Sequence, residues 1–140
     1  MAKQFKVVIT TPDAKAWEGD VVAATLPGLA GYLGVWADHA PLVAAVKPGV
    51  VTLRLDDAGN EKMLAVGTGF VEISDNVVNL MTDTCEISGE IDVDRARKAL
   101  ERARERLTSM QMDIDRERAR LAKDRAQARL DAAGSGVRRH

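Results

Sequence analysis

Asp38 and His39 stand side by side in the stretch GYLGVWADHAPLVAAVKPG, residues 31–49, among glycines at 31, 34 and 49 and prolines at 41 and 48. A histidine beside a carboxylate suits a catalytic pair, a metal ligand, or a loop that must hold one shape. Nucleophilic catalysis needs a serine, cysteine or threonine next to that histidine and an oxyanion hole. No G-x-S-x-G elbow or similar signature occurs. A metal centre normally takes three or four ligands, and the other histidine is His140, at the end of the sequence. The pair therefore points to conformation. Glycines admit positive φ and prolines fix φ, and His39 is expected to hydrogen-bond within the loop. A surface loop shaped this way usually serves to be touched.

A second group of chemically capable residues lies near the other end. Arg116, Arg118, Arg120, Lys123, Arg125 and Arg129 are interleaved with Asp113, Asp115, Glu117, Asp124 and Asp131. Such a segment is a solvated helical face held by pairs one turn apart, a surface for an acidic protein partner, or a nucleic-acid binder. The interleaved carboxylates and the lack of an aromatic for stacking argue against nucleic acid. The other two readings stay open.

The elements that must position these groups follow from periodicity. Through residue 88 the apolar period is two. Phe5, Val7 and Ile9 alternate with Lys6, Val8 and Thr10, and Thr11-Pro12-Asp13 closes the run. Further runs occupy residues 21–26, 43–46, 50–55, 63–66, 70–73 and 77–81, separated by turn residues such as Pro27-Gly28 and Ser74-Asp75-Asn76. This spacing predicts an all-β sandwich or flattened barrel of about ten short strands over residues 1–88.

After Ser88-Gly89 the period lengthens. Val93, Ala96, Leu100, Ala103, Leu107 and Met110 recur every three or four residues. Asp92 is placed as N-cap, with Asp94 in the first turn. Weak helix formers at residues 108–112 predict a break, with Met110 and Met112 at the bend. Asp113 or Asp115 then starts a second helix, with Ala119, Ala122, Ala126, Leu130 and Ala133 on one side. Gly134-Ser135-Gly136 is expected to end it before a frayed tail at residues 137–140. The fold class is α+β: an N-terminal all-β sandwich, then a C-terminal antiparallel two-helix hairpin with a flexible tail over residues 89–140. Trp17 and Trp36 are expected as core or interface anchors.

The chain has 140 residues and 46% hydrophobic content, with 4% aromatics, so the core must be mainly aliphatic. Its net charge of −1 conceals a division. Residues 1–88 carry six Lys and Arg against eleven Asp and Glu, a balance of −5; residues 89–140 carry fourteen against ten, a balance of +4. Two segments with different partners are implied. A buried alanine methyl contributes only ~0.8 kcal/mol, against ~1.5–3 kcal/mol for a leucine side chain. The alanine-lined hairpin is therefore permanently folded, or held loosely enough to open at a cost of a few kcal/mol. Cys85, the single cysteine, excludes an intrachain disulfide and fits a reducing compartment as a small apolar residue near a strand end. No apolar run approaches the ~20 residues of a membrane helix, and the N-terminal one is too short for a signal peptide. The expectation is a cytoplasmic protein without a span of its own, able to bind a membrane complex.

Gly31-Tyr32-Leu33-Gly34, His39-Ala40-Pro41-Leu42 and Lys47-Pro48-Gly49, with the G-T-G-F-V-E element at residues 67–72 and the Ile91-Asp92 helix entry, resemble the epsilon subunit of bacterial F-type ATP synthase. The resemblance covers nearly the whole chain. Two positions depart from the family pattern: Trp36-Ala37-Asp38 stands where a proline is common, and Tyr32 where an acidic residue is common. The resemblance implies a non-catalytic rotor subunit, peripheral to the cytoplasmic face of the bacterial inner membrane as part of F1. Its sandwich would bind the gamma subunit and rest on the c-ring through Gly31, Tyr32, Leu33, Gly34, His39, Ala40, Pro41 and Leu42. Its hairpin, extended along gamma, would bring Arg116, Arg118, Arg120, Lys123, Arg125 and Arg129 to acidic segments of the alpha and beta subunits and block hydrolysis.

No metal and no required cofactor are implied, but a regulatory ATP is. Family members that bind ATP on the folded hairpin carry I/L-D-x-x-R-A, and Ile91-Asp92-Val93-Asp94-Arg95-Ala96 matches it. The site so implied comprises Glu86, Ile91, Asp92, Arg95, Ala96, Arg102, Arg125 and Arg129. Arg95 and Arg102 are two turns apart on one helix, and Arg125 and Arg129 one turn apart on the next, so four arginines would converge on a triphosphate while Glu86 meets an adenine amine or ribose. The same residues also read as an N-cap and surface arginines. A rival for the whole chain is a free-standing cytoplasmic β-sandwich binding module with a coiled-coil adaptor hairpin.

Overall fold

The computed structural model describes residues 2–109 and 115–138, with side chains through residue 134. Met110, Met112, Asp113 and His140 lie outside the described residues. Ten strands come first: β1 (Phe5–Thr10), β2 (Lys15–Val21), β3 (Ala23–Gly28), β4 (Gly31–Val35), β5 (Leu42–Val46), β6 (Gly49–Arg54), β7 (Glu61–Val66), β8 (Gly69–Ser74), β9 (Val77–Thr82) and β10 (Cys85–Ile87). A single 3-10 turn at Ser88–Glu90 leads to α1 (Val93–Thr108), and α2 (Arg116–Arg138) follows.

Hydrogen bonding runs β10-β7-β6-β3-β5-β8-β9-β1-β2, with β4 paired to β3. β3 and β5 touch at one pair, Gly28 with Val46, so the sheet folds there into two layers. β1 pairs in parallel with β9, and the other pairings are antiparallel. The inward residues of both layers form one core in which Ile9, Leu26, Leu53, Leu64 and Leu80 are fully buried. The period-two pattern of β1 is observed as Phe5, Val7 and Ile9 inside.

Four expectations are corrected. The expected strand at residues 21–26 is two strands, since Val21 ends β2 and β3 starts at Ala23 and continues through Pro27 and Gly28. β2 and β10 had no apolar run to announce them: β2 reads KAWEGDV and is mostly solvent-facing, and β10 is three residues long. Gly31–Val35 is a strand, not part of a loop. It pairs only with β3, and at such an edge glycines are tolerated because one side needs no packing. Trp36 partly covers Gly34: a Cβ there would lie 3.1 Å from the ring.

The fourth correction concerns α2, which runs through Gly134-Ser135-Gly136 to Arg138. Ala128 and Ala132, with Ala133 beside them, pack on Ala65, Ile91 and Val50 of the β body, so tertiary contact carries the helix past residues whose propensity disfavours it. The buried set on α2 is Ala119, Ala126, Ala128 and Ala132, while the expected Ala122, Leu130 and Ala133 are only half-buried. One alanine stripe faces α1 and another faces β6 and β7, so α2 lies between the sandwich and α1. On α1, Ala96, Leu100 and Ala103 are buried as expected, but Val93 is exposed. Asp92 caps α1 by accepting from the Arg95 amide at 3.0 Å, and Asp115 does the same for Arg118 at 3.0 Å.

Candidate functional site

The segment that opened the sequence analysis is held by bonds that leave no catalytic pair. The two oxygens of Asp38 each accept from Lys3 Nζ at 3.0 Å, and Oδ1 also accepts from Asn76 Nδ2 at 2.9 Å. The Asp38 amide donates to Asn76 Oδ1. The Lys3 hydrogen bond, then that of Asn76, hold the Asp38 carboxyl below the usual aspartate range. His39 Nδ1 donates to the Ala40 carbonyl at 2.7 Å, the bond within the loop that the sequence suggested. Beside these, Trp36 is 61% exposed; Tyr32, also 61% exposed, instead lines a cleft between Lys47-Pro48-Gly49 and α2. Gly31, Leu33 and Gly34 lie on β4, and His39, Ala40 and Pro41 on the connection to β5, which Leu42 begins.

Sequence reasoning missed a neighbouring apolar face. On the outside of β5, β8 and β9, Ala45 is opposite Phe70 and Phe70 is opposite Met81. Phe70, Met81 and Val43 point outward and are exposed. Their signal was present as apolar residues at the outward positions of three strands, but strand order had to be known before they formed one row.

The hairpin meets the β body at a cleft of about 310 Å³ lined by Glu86, Glu90, Asp92, Arg95, Ala96 and Arg129. Arg129 Nε donates to Glu86 Oε1 at 2.5 Å, joining α2 to β10. Ile91, buried beneath Ala128 and Ala132, fixes the start of α1. The structure thus brings together Glu86, Asp92, Arg95, Ala96 and Arg129 of the expected ATP residues. Arg102 and Arg125 do not line the cleft. At 1.5 Å of rise per residue, Arg102 sits about 10 Å along α1 from Arg95. Glu90, which sequence reasoning did not include, does line it, so three carboxylates face two guanidinium groups.

Of Arg116, Arg118, Arg120, Lys123, Arg125 and Arg129 on α2, three are engaged in this docked state: Arg116, Arg120 and Arg129. Arg116 donates to the Leu107 carbonyl at 2.7 Å and to that of Ser109, closing the connection between the helices. Arg120 pairs with Glu117 and, at 3.6 Å, with Asp124. Arg118 is exposed, and Lys123 and Arg125 are half-buried. Cys85, half-buried on β10 and packed against the core, has its thiol pushed up to about 11 by burial, with a smaller contribution from the Glu86 carboxylate. Such a thiol is inert at neutral pH. No described helix is long and apolar enough to cross a membrane.

Comparison with known proteins agrees with this architecture. Residues 4–88 match the family described as ATP synthase, Delta/Epsilon chain, beta-sandwich domain, and residues 90–134 the long alpha-helix domain of the same family. The chain is 42% identical over 109 residues to the ATP synthase epsilon chain of Alkalihalophilus pseudofirmus, covering 78% of this chain and 80% of that one. It is 42% identical over 102 residues to the ATP synthase epsilon chain of an Anaeromyxobacter species, with 73% and 76% covered. A chain in the Euglena gracilis mitochondrial ATP synthase (OSCP/F1/c-ring, rotational state 1) superposes with a TM-score of 0.79 at 27% identity, over 93% of this chain and 81% of that one. A chain of the Tetrahymena thermophila mitochondrial ATP synthase central stalk and c-ring shares the fold, with a TM-score of 0.60 at 14% identity over 97% and 98% of the two chains. Both halves match and the relatives span most of the sequence: the chain belongs to the ATP synthase delta/epsilon chain family.

Proposed function

We propose that this epsilon-type, non-catalytic subunit links the gamma subunit to the c-ring in the central stalk and restrains ATP hydrolysis through its hairpin, at the cytoplasmic face of a bacterial inner membrane. The observation that carries the proposal is the way α2 docks: alanines against Ala65, Ile91 and Val50, with one Arg129–Glu86 ion pair. Small side chains bury little area, so the contact stabilises by a few kcal/mol at most. Release breaks the Arg129–Glu86 pair, and separation of the two helices breaks the Arg116 bonds to Leu107 and Ser109. Arg116, Arg118, Arg120, Lys123, Arg125 and Arg129 then meet acidic segments of the alpha and beta subunits, where desolvated arginine–carboxylate pairs compensate for the lost docking.

The β body supplies the rotor contact. Gly31, Tyr32, Leu33 and Gly34 lie on the edge strand β4, and His39, Ala40 and Pro41 on the connection to Leu42. Leu33 and Leu42 pack on the core and Tyr32 faces α2, so the rotor would meet the rest of this set, with the exposed Val43, Phe70 and Met81. A stiff, strand-built contact transmits torque without yielding. Binding of the full-length chain to a gamma–c-ring subassembly tests this: His39→Ala and Trp36→Ala should weaken association, and leave turnover by the isolated alpha–beta–gamma core untouched.

The docked state also offers a site for regulatory ATP. A cleft of about 310 Å³ lies at the small end of ligand sites, which span ~300–1,000 Å³. Arg95 and Arg129 line it, Arg129 already paired with Glu86, so a triphosphate there would compete with that carboxylate; Arg102 and Arg125 lie outside the cleft. At ligand equal to Kd the stabilisation of the docked state is only ~0.4 kcal/mol, reaching ~2.7 kcal/mol at a hundredfold excess. Calorimetry with ATP, with Arg95→Ala as control, measures this; no heat at millimolar ATP removes ATP from the account.

A further inference from the structure

Among the described residues, three that are not glycine have φ in the left-handed region: Asp38 at 64°, Asp75 at 52° and Asn76 at 60°. They meet at one place. Asp75 and Asn76 are the central residues of the turn between β8 and β9, whose flanking residues Ser74 and Val77 pair directly. Positive φ at both is the type I′ geometry that matches the twist of a hairpin. Asp38 comes from the β4–β5 connection, yet it exchanges two hydrogen bonds with Asn76 and accepts two more from Lys3. Left-handed backbone at an aspartate costs free energy and persists where surrounding contacts over-determine it. Here the determining contacts come from a different hairpin and from the N-terminal arm.

The residues beside Asp38 explain what such a knot is for. Trp36 is 61% exposed, so burial does not hold its ring. Its ring lies over Gly34 of β4 with most of its surface open to solvent, at the start of a connection whose shape is set at Asp38, with His39 on the other side. We propose that Asn76, with Lys3, is a positioning residue that locks Asp38 in its left-handed conformation and so presents Trp36 and His39, pre-organised, to the rotor partner. The inference rests on the rotor-contact reading above. Fixing a bulky side chain before association removes an ordering cost that association would otherwise carry. Asn76 never needs to touch the partner.

Asn76→Gly separates this role from folding. Glycine is favoured at a positive φ in a type I′ turn, so the β8–β9 hairpin keeps its geometry while both side-chain bonds to Asp38 disappear. The full-length chain, in a Trp17→Phe background that isolates Trp36 emission, is titrated onto the gamma–c-ring subassembly. Asn76→Gly should bind about three- to tenfold more weakly, with unchanged melting temperature and with Trp36 more easily quenched by acrylamide. Asp38→Gly, which relieves its own φ but also loses the clamp, should behave alike. If Asn76→Gly binds like the parent while Trp36→Ala binds more weakly, the clamp is overturned and the rotor contact stands. If Trp36→Ala and His39→Ala both bind like the parent, the rotor contact fails and takes this inference with it.

Discussion

Arg129 on α2 and Glu86 on β10 are joined by an N–H···O bond of 2.5 Å, their side chains 29% and 36% exposed. Because β10 ends just before the 3-10 turn that leads into α1, this pair ties the far helix back to the strand from which the hairpin departs. It fastens the hairpin as a latch fastens a hinge.

Breaking the latch should shift the hairpin without touching the sandwich. A half-exposed pair of this kind is worth about 1 kcal/mol after solvent screening, which is roughly a fivefold change in the docked-to-released ratio. Glu86→Gln and Arg129→Gln should each speed amide exchange around Ala128 and Ala132 by about that factor. Exchange at the core positions Leu53 and Leu80 should stay as it was.

Overfilling the apolar half of the same contact should act in the same direction and more strongly. Ala132 is fully buried, with Ala65 and Ile91 in the same cluster. A leucine there has nowhere to go, and overpacking costs ~1–3 kcal/mol. Ala132→Leu is expected to release α2 while the β body melts at its usual temperature.

Gly69 opens the G-F-V-E part of the motif for a steric reason. A Cβ at this position would lie 1.9 Å from the Met81 carbonyl oxygen, on the paired strand β9. Since the obstacle is backbone, Gly69→Ala must push β8 and β9 apart. A loss of more than about 5 °C in the melting temperature of the β body is expected.

Cys85 makes a pH prediction. Its thiol is pushed from 9.0 to about 11 in the folded chain, so at a given pH below 9 it carries on the order of a hundredfold less thiolate than an open thiol. Alkylation of the native chain should be slow at neutral pH and become fast on unfolding. Because the folded value is the higher one, the contribution of the neutral thiol to stability is complete below pH 9.0. It is lost as pH rises through about 11. Cys85→Ala should remove that part of the alkaline fall.

Much of this molecule was legible in the sequence, and the remainder was hidden for physical reasons. The change from period two to a helical period after Ser88 located the sandwich and the hairpin. Asp92 as N-cap and His39 bonded within its loop were readable because both interactions are local. The strand Gly31–Val35 was not, since its glycines signal turns and only its pairing with β3 makes it a strand. Ala128 and Ala132 escaped notice because α2 buries two faces, and a single helical stripe describes only one. The knot of Lys3, Asp38 and Asn76 joins residues 35 and 38 positions apart, a distance that no local pattern spans.

The most direct test compares ATP hydrolysis by the assembled synthase carrying the full chain with that of the synthase carrying only residues 1–88. Removal of the hairpin should raise hydrolysis several-fold while the truncated subunit remains in the complex. Equal rates, with the truncated subunit demonstrably in place, would contradict a releasable hairpin as the brake.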